Sequence, residues 1–145
     1  KAIRNLMLAM VGAAPGPTFM NLPPLTDGVG QLWPFLNSTN HTVNILTAAV
    51  RARPGAGSTS KSGKTEWIGT HLSPPPAEII VVQADIDGSS ADKKARYATR
   101  GGVPNLLIDD HTKNVNAWRA AGGIAIHHKP GDSVTTLRQL KKLGL

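Results

Sequence analysis

Four short runs constrain this chain more than any other feature: Thr42 to Leu46, Glu78 to Val82, Asn105 to Ile108 and Gly123 to Ile126. They are rich in Val and Ile, and near-continuous rather than alternating. A strand wetted on one face alternates polar and apolar residues, whereas one covered on both faces does not. The pattern therefore predicts a parallel sheet sandwiched by helices. Helices are predicted between the strands, over Asp27 to Leu36, Ser60 to Leu72, Lys113 to Ala121 and Ser133 to Leu143. The first has Thr26 or Asp27 to cap it. The second is stopped by Pro74-Pro75-Pro76, and the third ends at Gly122-Gly123. The last carries Val134, Leu137 and Leu140 on one stripe, with Lys141 and Lys142 in its final turn, where cations favour the helix dipole. Strands alternating with helices give an α/β fold with right-handed crossovers.

At 145 residues the chain has the length of one domain. Its apolar fraction of 40% supplies one core, and a charged fraction of 17% excludes a disordered polyelectrolyte. No apolar run approaches the about 18 residues of a membrane span. Pro15, Gly16 and Pro17 break the apolar N-terminal stretch, so no cleavable signal is read there and a cytoplasmic location is expected (host cytoplasm or virion, were the protein viral). Without cysteine there is no disulfide, thiolate nucleophile or Cys-based zinc site. The first residue is Lys1 rather than Met, which is read as a sign of sequence upstream.

Sixteen Lys and Arg against nine Asp and Glu leave a net charge of +7. By segment the excess is +1 over 1–50, +3 over 51–104 and +3 over 105–145, so it is spread along the chain. Such a charge attracts nucleotide phosphates and, without specificity, nucleic-acid backbones. The few aromatic residues fall mostly at core spacing, which argues against a single-strand stacking platform.

The sharpest candidate for chemistry is Leu106-Leu107-Ile108-Asp109-Asp110. Two carboxylates at the end of an apolar strand lie where open α/β sheets bind ligands, and oxygen donors suit Mg²⁺. The alternative is that an Asp caps the following helix. Thr47, at the end of Ile45-Leu46-Thr47-Ala48, places a hydroxyl on the same edge. Lys64, near a predicted helix start, opposes the dipole unless it faces an anion. Asp85-Ile86-Asp87-Gly88 lacks the full calcium-loop pattern and reads as a loop, with Lys93 and Lys94 as phosphate neighbours. His127 and His128 point to opposite faces of a strand, which disfavours a metal pair. The basic, Gly-rich stretch from Val50 to Gly63 reads as a loop after a strand.

The order of these signals resembles the haloacid dehalogenase (HAD) phosphohydrolase superfamily. Its second motif, a strand-end Thr, is matched by Thr47, its third, a Lys, by Lys64, and its fourth, an acidic pair, by Asp109 and Asp110. Asn21-Leu22-Pro23-Pro24-Leu25, Trp67-Ile68 with His71-Leu72, and Asn105 through Ile124 look like the 5'(3')-deoxyribonucleotidase branch and its phage relatives. The resemblance implies a Rossmann-like sheet and Mg²⁺-dependent hydrolysis of a phosphomonoester on a nucleotide or similar small molecule. It implies that Thr47, Ala48, Lys64 and Lys94 hold phosphate and that Asp109 and Asp110 hold Mg²⁺.

The family's first motif, Asp-x-Asp on the first and central strand, has no match before Thr42. Residues 1–24 then resemble the remnant of a small helical cap or an N-terminal extension, with 25–145 as the α/β core. On this reading the central strand is missing along with the nucleophile. Each unpaired buried backbone group costs roughly 1–3 kcal/mol, which leaves three outcomes: a separate N-terminal fragment completes the sheet, the two neighbouring strands pair directly, or a partner's strand fills the gap. Two functions follow. One is a phosphohydrolase or its C-terminal portion, inactive alone because the nucleophile motif is absent. The other is a non-catalytic HAD-like structural or interaction module of a larger assembly.

Overall fold

The computed structural model describes residues 3–9, 31–49, 66, 68–69, 72–84, 89–129 and 131–145. Strand β1 spans Asn5–Ala9, followed by α1 (Trp33–Ser38), β2 (Thr42–Ala49), β3 (Ile79–Gln83) and α2 (Ala91–Ala95). A two-stranded hairpin, β4 (Thr99–Arg100) and β5 (Val103–Pro104), leads into β6 (Leu106–Asp109), α3 (Thr112–Ala120), β7 (Ile124–His127) and α4 (Ser133–Lys142). The five long strands form one sheet in the order β3-β2-β1-β6-β7, every neighbouring pair parallel. The expected α/β architecture is present, and all four predicted strands occur within one or two residues at their N-terminal ends, although β2 runs on to Ala49.

The expectation of a missing central strand is overturned. Asn5–Ala9 is that strand, registered Leu8 to Ile45 on one side and Leu8 to Ile108 on the other. These five residues therefore belong to the sheet and not to a cap remnant, and no fragment or partner strand is needed between β2 and β6. Period-two alternation places β1 in two cores. Leu6 and Leu8 pack with Trp33, Leu36, Ile45, Ile108 and Leu140 on one face. Met7 and Ala9 pack with Leu46, Leu107, Val115 and Trp118 on the other. Helices thus cover both faces, which explains why the strands read as unbroken apolar runs.

Other boundaries differ for local reasons. The expected helix from Asp27 is described only over its C-terminal part as α1, with Pro34 in its first turn, where a missing N–H costs nothing. The predicted 60–72 helix lies mostly outside the described residues, although residues 66, 68 and 69 are helical. Helix α2 replaces part of the stretch read as a loop. Helix α4 is capped by Asp132, whose carboxylate accepts the Thr135 N–H at 3.2 Å and is held below its usual pKa by those Thr135 hydrogen bonds. Its inner face is rotated from the expected stripe: Ser133, Thr136 and Leu140 are buried, and Val134 is 61% exposed.

Candidate functional site

In a parallel sheet with crossover helices, every strand points its C-terminal end to one edge. Ligands bind where the strand order reverses direction. From β1 the chain runs outward through β2 to β3, then returns to the other side of β1 for β6 and β7. The reversal lies between β1 and β6, so the residues that close those two strands, Ala9 and Asp109, define the centre of the candidate site.

Asp109 is 3% exposed, and its carboxylate is fully engaged. Oδ1 accepts the His111 N–H at 2.9 Å, and Oδ2 accepts Asn114 Nδ2 at 2.8 Å. The Lys94 ammonium stands 3.6 Å from Oδ2, with 5% and 3% exposure for the two side chains. Lys94 reaches this place because α2 follows β3 and begins at the same sheet edge. Lys93 donates to Gln83 O and ties α2 to the end of β3. The Asp-cap alternative is not realised, since His111 is the N-cap of α3 and its side chain makes no capping bond.

Asp110 is half-buried beside Asp109. Burial first, and then the neighbouring Asp109 carboxylate, push its pKa above the usual 3.8. A group whose folded pKa is raised binds its proton more tightly when folded, so its stability contribution is fullest below 3.8 and is lost as pH rises through the folded pKa. Asp110→Asn should therefore stabilise the protein at pH 7 relative to wild type. That advantage should shrink as the pH is lowered towards 3.8, which thermal melts across that range will read. Equal melting shifts at both ends would remove the carboxylate pair as the cause.

Thr47 is fully buried on β2, one residue beyond Leu46, the register partner of Ala9, and Ala48 follows it half-buried. Both sit at the same edge, separated from Asp109 by β1. On the far side, His127 Nε2 lies 2.9 Å from Asp110 O, and His128 donates its N–H to Asp109 O at 2.8 Å. These histidines brace the backbone of the acidic pair. Lys64 and the Asp85–Asp87 stretch lie outside the described residues. Of the described lysines, Lys94 is the one brought to the acidic pair. Motif order points to Lys64 as the phosphate lysine, with Lys93 and Lys94 as phosphate neighbours.

Magnesium is commonly held by one or two carboxylates plus phosphate oxygens and waters, so among the described residues a Mg²⁺ ion at this edge would rest on Asp109 and Asp110. Here Asp109 spends its oxygens on an amide, a backbone N–H and an ammonium, while Ala9 brings no side-chain donor. No group of three or more His, Asp or Glu that could hold a metal ion occurs among the described residues. Lys94 instead supplies a positive charge against Asp109 from within the chain. Among the described residues the sheet edge carries a polar cluster around a buried ion pair, with Thr47 at the same edge beyond β1. No protein-family model and no curated protein matches this sequence.

Proposed function

We propose that this chain is a non-catalytic member of the HAD type, a structural or interaction module of a larger assembly. One observation carries the reading: the central strand is present and ends in Ala9, at the level of Asp109, where covalent phosphoryl transfer needs a carboxylate. Ala9 closes the strand on which that family carries its Asp-x-Asp, the sequence goes on with Met10-Val11-Gly12, and the first acidic residue is Asp27. Thr47 and Lys94 at the same edge support the resemblance, and the strand order agrees with it. What differs is the residue that would attack phosphorus. A phosphate clamp that is lost weakens turnover, but a covalent nucleophile that is lost removes the path.

The test is hydrolysis of p-nitrophenyl phosphate and of deoxynucleoside monophosphates with Mg²⁺ present, using wild type and Asp109→Asn. No turnover above the uncatalysed rate is expected from either. Turnover by wild type that disappears in Asp109→Asn would overturn the reading and restore a Mg²⁺-dependent nucleotide phosphohydrolase.

A further inference from the structure

The sequence spreads its positive charge along the chain, and the fold brings six of the described cations to one edge. Helices in this architecture run antiparallel to the strands, so their last turns meet at the N-terminal edge of the sheet. Arg4 immediately precedes β1, and its N–H donates to Pro104 O at 2.9 Å, joining the start of β1 to the hairpin. Arg96 caps the C-terminus of α2, and Arg100 ends β4. Arg119 lies in the last turn of α3, while Lys141 and Lys142 lie in the last turn of α4. All six are exposed.

Most of the described carboxylates are distributed the other way. Asp92 lies in the first turn of α2, Asp109 and Asp110 close β6, and Asp132 caps the start of α4, all at the opposite edge. Among the described residues Glu66 falls on the β2–β3 connection, and Glu78 precedes β3. That outer strand is separated from β6 and its hairpin by β2 and β1. Arg4, Arg96, Arg100, Lys141 and Lys142 make no ion pair with a described carboxylate. Arg119 Nη2 donates to Ala125 O, a neutral acceptor.

We infer that this N-terminal edge is a docking surface for the phosphodiester backbone of nucleic acid. Three features favour that partner over an acidic protein. The hairpin side of the cluster is arginine, whose planar fork pairs with phosphate through two bonds. Tyr97, 37% exposed, stands between Arg96 and the hairpin and offers a ring to an unstacked base. The turn at Gly101 and Gly102 has φ of 60° and 79°, and a Cβ built at either would meet nothing within 4 Å, so a phosphate can approach the backbone there. The surface lies on the far side of the sheet from the Lys94–Asp109 cluster, so it goes beyond the proposed function and survives if that reading fails.

The experiment is fluorescence anisotropy with a fluorescein-labelled single strand of about 20 nucleotides, titrated with full-length protein over a series of salt concentrations. Arg96→Glu/Arg100→Glu/Lys142→Glu should weaken binding at least about 10-fold and lower the salt slope by roughly 2, at about 0.7 per phosphate contact. Tyr97→Ala should weaken it by roughly 5-fold. Lys113→Glu/Lys129→Glu, at the opposite edge, should leave affinity within about 3-fold, and circular dichroism melts will show that each variant is folded. Equal losses from both sets would overturn the assignment, as would wild type that fails to bind at low salt. Displacement of the strand by polyglutamate of equal charge at equal concentration would overturn it in favour of an acidic protein partner.

Discussion

Lys94→Met should lower stability by about 3–5 kcal/mol, because it leaves Asp109 as a buried charge without its one counter-charge among the described residues. Methionine keeps most of the apolar stem, so the loss reports the ammonium rather than packing. In a domain of this size roughly 2–4 °C of melting temperature accompanies each kcal/mol, and a fall of about 6–20 °C is expected. Adding Asp109→Asn should recover part of that loss. The neutral amide removes the stranded charge while its Oδ1 still accepts from His111, so the double variant should be more stable than Lys94→Met alone. Urea denaturation of wild type, both single variants and the double variant completes the cycle. A Lys94→Met protein within 1 kcal/mol of wild type would mean that the 3.6 Å pair carries no weight.

The ion pair also marks where sequence reasoning succeeded and where it stopped. Asp109 was legible because a carboxylate that ends an apolar run must lie at a sheet edge. Its partner was not, since Lys94 sits on a helix of five residues, Ala91–Ala95, too short to show a periodic face. Lys94 was legible as a phosphate neighbour and not as the counter-ion of Asp109, and Lys64, the lysine that motif order suggests, lies outside the described residues. Strand β1 escaped for a different physical reason. Asn5-Leu6-Met7-Leu8-Ala9 contains no Val, Ile or Thr, and Leu, Met and Ala favour helix in isolation. Its strand state is imposed by partners on both sides, a tertiary decision that no local window contains. The other four strands carry their own β-branched residues and were visible at once. Charge polarity belongs to the same class, since Arg4, Arg100 and Lys142 are brought to one edge of the sheet by topology and not by spacing.

The pairing that imposes the strand state on β1 begins at Asn105, and its replacement should be the most damaging polar substitution at that end of the sheet. Asn105 is 3% exposed and lies just before β6. Its Oδ1 accepts the Asn5 N–H at 3.1 Å, at the first residue of the central strand. Its Nδ2 donates to Tyr97 O at 2.7 Å, ahead of the hairpin. The backbone of the same residue donates to Ala98 O and accepts from Trp118 Nε1 and from Ile124 N. One amide side chain thus bridges β1 and the hairpin, while its main chain joins α3 and β7. Leucine is close in shape to asparagine but carries no polar atom, so Asn105→Leu preserves bulk and orphans both Asn5 N–H and Tyr97 O. Each stranded group costs roughly 1–3 kcal/mol, which predicts a loss of about 2–6 kcal/mol. The loss should also be local before it is global. Hydrogen exchange should quicken first at the start of β1 and through residues 97–104, with α4 protected until the whole domain opens. A variant that loses less than 1 kcal/mol, or whose exchange rises evenly along the chain, would show that β1 is held by its ladder and apolar contacts alone.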